Sequence, residues 1–352
     1  MPTTPGGLGV LQIEPTDRCN LACSMCRPHA EGWDSVHGVP KGLMRWELYT
    51  AVIDRLVAED CHFDHLILQW LGDPSVHDRL EDMVAYASRR LRGRLGYLRF
   101  DTNGILLTPS RVDRLLAGRD RAMPLLVVFT LDAVTPGTYA RVKGRDHLAR
   151  VRRNVRYLLS RRREHGPVDV QVQFVVQPGN AHEARAFLDY WTDAFRCYAA
   201  GGHGEILFKP LSVDGGGPGQ AAADALYRRA VADFPVGRRD SLTVSAWADD
   251  PWQAPARRAA CAAPWFTPVI RHDGHLVMCC ADLRSELDLG HAGEQGFRAL
   301  WDGPRATSVR LAHLAGRFAG ACAGCAGINW YAIGPSEVAS TRRRAGELGL
   351  AG

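Results

Sequence analysis

Cys19-Asn20-Leu21-Ala22-Cys23-Ser24-Met25-Cys26 sets three cysteines in eight residues, with three and then two residues between them. Such a run can converge on one small inorganic centre. Most iron–sulfur proteins bring four thiolates to a 4Fe–4S cube. Three thiolates would leave the fourth iron open to another ligand. Zinc is the alternative, but three cysteines so close together need a fourth partner nearby, for which His29 is the candidate. The preceding residues, Gly9 to Pro15, are strand-like, so the cysteines sit on a loop at a strand's C-terminal end. Spacing and context together favour iron–sulfur ligation.

The rest of the chain is compatible with that chemistry. Its 352 residues suffice for a large domain and a smaller one. Hydrophobic residues make up 46% and charged residues 23%, as in ordinary globular proteins. No apolar run is long enough to span a bilayer, and the first residues lack a signal pattern. A cytoplasmic location and no membrane partner are therefore expected. Ten cysteines then indicate metal or redox chemistry rather than disulfides. The net charge of +5 is mild. Its arginines are scattered over apparent helix faces, so no nucleic-acid partner is expected.

Strand-like runs lie near 8–14, 64–70, 97–102, 124–131, 168–175 and 204–210. Helical patterns lie between them, near 45–59, 77–92, 109–117, 147–164 and 181–198. This alternation predicts an α/β fold with a parallel sheet. Strand counting leaves two architectures open, an open partial barrel and a doubly wound sheet.

The Cys19/Cys23/Cys26 spacing after a first strand resembles the signature of the radical S-adenosylmethionine (SAM) superfamily. The resemblance implies a partial (β/α)6 TIM-type barrel. It also implies that the open iron binds the amino and carboxylate groups of SAM. Reductive cleavage would then give methionine and a 5′-deoxyadenosyl radical. A flavodoxin- or ferredoxin-type donor is expected to supply the electron.

In barrel folds chemistry gathers where strands end. After the second strand, Gly72-Asp73-Pro74 stands where relatives carry a glutamate-containing turn that holds the SAM amino group. After the third, Asp101-Thr102-Asn103-Gly104 is similar to the family's Thr-Asn-Gly turn near the SAM ribose. Thr130 and Asp132 end the fourth strand. Lys143 stands where relatives usually place an arginine for the SAM carboxylate, with Arg141 or Arg145 as substitutes. On the fifth strand Gln171 and Gln173 face either a polar barrel interior or solvent at an edge. Residues 211–222 show no periodic pattern and are rich in glycine, which predicts a linker.

A second cysteine group follows: Cys261, Cys279, Cys322 and Cys325. Asp273-Gly274 between apolar runs predicts a β-hairpin. A hairpin would bring Cys261 and Cys279 together. Cys322-Ala-Gly-Cys325 would add two thiolates side by side. Four thiolates make a closed site for either a 4Fe–4S cluster or zinc. The layout resembles the auxiliary-cluster region of SPASM/twitch radical SAM enzymes, in its shorter, one-cluster twitch form. Aminocyclitol and sugar dehydrogenases share that layout. The resemblance thus implies two 4Fe–4S clusters and SAM. Cys280 is either packing or a thiol hydrogen-atom donor; Cys61 and Cys197 are expected in the core, and His62 and His65 are expected to be structural. The expected divisions are 1–215 barrel, 216–256 linker, 257–335 auxiliary domain and 336–352 tail.

The function these features imply is an oxidoreductase. It would abstract hydrogen from a small polar sugar, aminocyclitol or nucleoside and turn a secondary alcohol into a ketone, in antibiotic or other natural-product biosynthesis. Candidate bases are Arg145, Lys143, Asp101 or an acid near Trp330. Epimerisation, decarboxylation, C–C bond formation and peptide modification are alternatives on the same scaffold. The first strand begins within about ten residues of the N-terminus, so no leader-binding domain is expected. A non-catalytic zinc module is the alternative from another class.

Overall fold

The computed structural model describes residues 8–30, 33–36, 38–213, 217–246, 260–325, 327 and 331–350. Six strands are β1 (Val10–Ile13), β2 (Phe63–Ile67), β3 (Leu95–Thr102), β4 (Leu125–Thr130), β5 (Val168–Val176) and β6 (Gly204–Pro210). Each lies parallel to the one before it. The order never reverses, as it would at the switch point of a doubly wound sheet. Right-handed crossovers in an unreversed order place every helix on one face. The sheet does not close, because the outer edge of β6 pairs with a later strand rather than with β1. The fold is therefore an open partial barrel, and the doubly wound alternative is excluded.

The helices are α1 (Trp46–Ala58), α2 (Leu80–Arg90), α3 (Pro109–Gly118), α4 (Pro136–Lys143), α5 (Leu148–Arg161) and α6 (Ala184–Cys197). Their apolar stripes cover one face of the sheet. There Phe100, Phe129, Phe174 and Phe208 are fully buried, with Phe187 and Trp191 from α6. Each such side chain contributes about 1.5–3 kcal/mol by leaving water. Strand alternation turns the intervening residues to the other face. There the sequence is polar, and this side becomes the barrel interior.

Helix α4 was not expected from periodicity. It is set by its ends instead. Thr135 caps it by accepting from Thr138 N, Pro136 opens it, and Gly144 closes it at φ 85°.

The expected linker at 216–256 is also structured in part. It holds α7 (Gly217–Val231) and a hairpin of β7 (Gly237–Arg239) and β8 (Leu242–Ala246). Strand β8 adds to β6 in parallel, Leu242 opposite Gly204. Tyr227 of α7 is buried and donates its hydroxyl to Phe208 O at 3.3 Å. The glycines of 215–219 hide the helix start from a periodicity reading. Residues 216 and 247–256 of that region lie outside the described residues.

The predicted auxiliary hairpin is present as β9 (Val269–Ile270) and β10 (His275–Val277), turning at Gly274 with φ +93°. Strand β9 lies parallel to β1, Gln12 opposite Val269. The hairpin thus continues the barrel's own sheet at its first edge. Strand β11 (Asp288–His291) follows β10, and α8 (Pro304–Leu314) lies beyond it. The expected tail is a docked helix, α9 (Pro335–Glu347), whose Thr341 hydroxyl accepts from Trp265 Nε1 at 3.0 Å.

Candidate functional site

The loop carrying Cys19, Cys23 and Cys26 is held by the C-terminal ends of the first five strands. On one side Gly72 presses against it. A Cβ there would stand 2.3 Å from Thr16 O and 2.5 Å from Arg18 O, and Asp73 N donates to Arg18 O at 3.0 Å. On the other side lies the end of α4. Ser24 N donates to Val142 O at 3.1 Å, and a Cβ on Gly144 would reach within 3.0 Å of Ala22 O. Asn103 Nδ2 donates to Asn20 Oδ1 at 2.7 Å and approaches Cys19 Sγ at 3.9 Å. Gln177, after β5, approaches Met25 Sδ at 3.7 Å.

The expected cofactor-binding residues fall into three groups. Asp73 is buried and fully engaged. Its carboxylate accepts from Ser75 N and Oγ, from Thr102 Oγ1 at 2.9 Å and from Asn103 N at 2.6 Å. It ties the Gly72 turn to the Thr102-Asn103-Gly104 turn. Asp132 and Lys143 form a buried ion pair, 2.5 Å from Nζ to Oδ2. Asp132 occupies the left-handed region at φ 60°, and its other oxygen accepts from Val175 N at 2.6 Å. Lys143 loses hydration on burial, but Asp132 and then Cys23 hold its pKa above the ordinary lysine value. Thr130 is half-buried at the end of β4. Arg145 is exposed and does not join the buried set.

Asp101 lies deeper. It takes a bidentate pair from Arg99, 2.7 Å on each arm. Around this pair the barrel interior is a polar lattice. Gln173 Nε2 donates to Gln171 Oε1 and Gln171 Nε2 to Glu205, each at 2.5 Å. Ser245 donates to Glu205, and Lys209 Nζ donates to Gln173 Oε1 at 3.3 Å. The two glutamines therefore line the interior, because β5 is flanked by β4 and β6 and is no edge. His65, expected to be structural, stacks on Tyr97 at 4.5 Å on the same face. Burial, then the charge of Arg99, lowers its pKa to about 3. Gln12 Oε1 and His65 Nδ1 are buried with no hydrogen-bond partner among the described residues. In native proteins such atoms are nearly always completed by an ordered water or a ligand.

The cysteine loop fits an iron–sulfur cluster. Burial, then Asp73, pushes the Cys19 thiol up to about 12; burial also raises Cys23 and Cys26. These thiols stay protonated unless cationic metal is present to stabilise the thiolates. Among the described residues, no three His, Cys, Asp or Glu side chains converge on one point to hold a single ion. A cube asks for something different, since each thiolate takes its own corner iron. His29 is not poised as a zinc ligand, because its Nε2 contacts Leu71 O at 3.3 Å.

Parts of the second group lie close together. Cys261 and Cys279 pack in one cluster with Ala263 and Cys280. Gly327, two residues after Cys325, lies beside Cys261 Sγ, 3.8 Å from where a Cβ would be. Cys325 N donates to Cys322 O at 3.4 Å. Backbone N–H groups point at two of the sulfurs, Ala281 N to Cys279 at 3.4 Å and Gly327 N to Cys325 at 3.3 Å. Such bonds stabilise cluster thiolates. Cys280 is half-buried against Trp70, whose Nε1 donates to its carbonyl at 2.9 Å. The β2 turn thus touches both cysteine groups. Cys61 is buried as expected, but Cys197 is exposed at the end of α6. Trp330 lies outside the described residues.

A second link joins the two groups through His272 in the hairpin turn. Its Nδ1 is 3.4 Å from Glu14 Oε2 and 3.8 Å from Asp17 Oδ2, all three residues buried. Burial lowers the imidazole pKa, but the Glu14 hydrogen bond and the Asp17 and Glu14 charges outweigh it, so the folded pKa is raised. A raised folded pKa stabilises the fold fully below the unfolded value of about 6.5. That stability is lost as pH rises through the folded pKa. His272→Gln should therefore lower Tm more at pH 6 than at pH 8.5, as thermal melts across that range would show.

Among the described residues a cavity of about 730 Å³ lies elsewhere, lined by residues such as Trp265, Arg310, Thr341 and Arg344. It touches neither cysteine group, so the chemistry is placed at the barrel mouth.

Comparison with known proteins bears on this site directly. Residues 13–190, just over half of the chain, match the radical SAM superfamily model. The chain belongs to the radical SAM superfamily. Residues 261–326 match the SPASM model, described as an iron–sulfur cluster-binding domain. This radical SAM protein therefore takes SAM on one cluster and carries auxiliary iron–sulfur ligation, and a zinc module is excluded. GTP 3′,8-cyclase of Mycobacterium sp. (strain KMS) is 34% identical over 188 residues, 52% of this chain and 48% of that one. GTP 3′,8-cyclase of Synechococcus sp. (strain CC9902) is 34% identical over 139 residues, 39% and 36% of the two chains. The chain spans less than half the length of these curated relatives. The structure of native anSMEcpe with bound AdoMet is similar in fold, with TM-score 0.59, 17% identity and coverage of 96% and 97%. Among the described residues no helix is long and apolar enough to cross a membrane.

Proposed function

We propose that this protein is a radical SAM dehydrogenase acting in the cytoplasm on a small polar substrate, a sugar, aminocyclitol or nucleoside. A secondary alcohol becomes a ketone. The carrying observation is the second cysteine group, with amides aimed at Cys279 and Cys325. Four protein thiolates leave no iron open, so that site suits taking up an electron rather than binding substrate. When bound, SAM and its cluster supply a 5′-deoxyadenosyl radical able to abstract hydrogen from an unactivated C–H bond.

The chain's own residues do the rest. Cys19, Cys23 and Cys26 hold the SAM-binding cluster; Cys261, Cys279, Cys322 and Cys325 hold the auxiliary one. Gly72 lets the β2 turn approach, and Asp73 fixes Thr102 and Asn103 on the SAM side. Asp132 holds Lys143 beside Cys23, where its charge suits the SAM carboxylate in place of the usual arginine. The barrel domain is taken as 1–215 and the auxiliary domain as 257–335. A flavodoxin- or ferredoxin-type protein would supply the first electron.

Anaerobic incubation with SAM, dithionite and an aminocyclitol panel tests the proposal. 5′-Deoxyadenosine with an equal amount of ketone is expected. Deoxyadenosine without any two-electron-oxidised product would refute it. A second reading, cyclisation of GTP, is favoured by the 34% identity to proteins of that name. The interior charges weigh against it: Arg99 faces Asp101, and Lys209 sits among Asp101, Asp132 and Glu205. That balance leaves little surplus positive charge for a triphosphate. GTP in the same assay, with a cyclised product sought, separates the two.

A further inference from the structure

We propose that the cavity of about 730 Å³ beside α8 and α9 binds a small organic anion, a carboxylate or phosphate monoester carried on an apolar body. The cavity touches neither cysteine group, so this site stands apart from the dehydrogenase reading.

Arg310 of α8 lines the cavity and is 7% exposed. A guanidinium buried to that depth is normally paired with an acid. Arg310 makes no ion pair among the described residues. Its Nε donates to Pro264 O at 2.9 Å and its Nη1 to Trp301 O at 2.8 Å. Its guanidinium carbon lies 4.7 Å from the Trp301 ring centroid. All these partners are neutral, and the second Nη makes no hydrogen bond among the described residues. The acids of the lining are engaged by other groups. Asp302 lies 4.0 Å from Arg298, Glu347 lies 2.8 Å from Arg344, and Glu337 accepts from Gly334 N at 2.8 Å.

Two hydroxyl residues line the same cavity. Thr307 stands one turn before Arg310 on the same face of α8. It is 1% exposed, and its Oγ1 has no hydrogen-bond partner among the described residues. Thr341 of α9 is buried and accepts from Trp265 Nε1 at 3.0 Å, which leaves its own proton to give. The unused groups are thus one charged N–H and two hydroxyls, all able to donate. Donors gathered without acceptors suit an anion, and a charged donor makes the stronger bond. Trp265, Phe266 and Trp301 complete the lining. Those rings suit an apolar body, and the volume is that of a small-molecule site. A bound anion would also brace Pro264, three residues after Cys261, through Arg310.

Calorimetric titrations and thermal melts of the reconstituted holoenzyme test the site, with SAM kept saturating so that the barrel mouth is filled. The probes are benzoate, phenyl phosphate, inorganic phosphate and benzyl alcohol. Benzoate or phenyl phosphate should bind once per chain and raise Tm, and the tighter of the two identifies the head group. Inorganic phosphate and benzyl alcohol should each bind at least about tenfold more weakly, since each lacks one half of the match. Arg310→Gln should weaken the bound anion by roughly 10–100-fold, the usual worth of a hydrogen bond to a charged group. That change also removes a support of Pro264, so Thr307→Val is the second variant. Without probe it should melt no lower than wild type, and with probe it should bind roughly 2–10-fold more weakly. Failure of both organic anions to bind, benzyl alcohol binding as tightly as either, or wild-type affinity in Thr307→Val would overturn the site.

Discussion

Gly72→Ala should cost the protein its N-terminal cluster while sparing the rest of the fold. The added methyl would stand 2.3 Å from Thr16 O and 2.5 Å from Arg18 O, and both obstacles are backbone. Nothing there can swing aside, so the β2 turn and the loop entering Cys19 must separate. The 3.0 Å bond from Asp73 N to Arg18 O goes with them. Overpacking of this kind costs about 1–3 kcal/mol, a tolerable loss for a domain with so large a core. The functional loss is greater, because a few tenths of an ångström separate three thiolates from a shared cube. Iron in the reconstituted variant should fall by about half, and SAM cleavage should drop at least tenfold. An unchanged iron content would show that the turn does not hold the loop.

Lys143→Met should have the largest effect on stability. It leaves Asp132, 1% exposed, with an uncompensated charge. Breaking a buried pair from one side costs about 3–5 kcal/mol. In a barrel of this size each kcal/mol is worth about 2–4 °C, so Tm should fall by roughly 10 °C. Adding Asp132→Asn should recover part of that loss, because asparagine tolerates the left-handed backbone that Asp132 adopts at φ 60°. A double variant no more stable than the single one would show that the lysine stabilises by packing alone. SAM affinity should stay low in both variants, which separates the fold's need for the pair from the cofactor's need for the cation.

Much of this was legible in the chain, for physical reasons. The six strands stand out because their outer residues must be apolar to meet helices while the linking segments carry helical periodicity. The cysteine groups stand out because thiolate spacing is rigidly tied to what they ligate. Periodicity could not show the roles of individual polar residues. Asp73 reads as a cofactor contact by position, yet its oxygens are engaged by Ser75, Thr102 and Asn103. Asp132 and Lys143 lie far enough apart in sequence that only the fold pairs them. The polar surroundings of Lys209, inside the apolar run of β6, gave no sequence signal, because they are made by the neighbouring strands. The helix at Gly217–Val231 was hidden by the glycines at its start, and α4 was too short to show a period but was written in its Thr-Pro and Gly ends.

The most direct measurement is iron and SAM cleavage on anaerobically reconstituted protein, with Cys19, Cys23 and Cys26 replaced together by alanine as the comparison. Two complete clusters predict about eight irons per chain in wild type and about four in the triple variant, with 5′-deoxyadenosine formed under dithionite only by wild type. Equal iron in the two proteins, or a wild type that leaves SAM intact, would contradict the account.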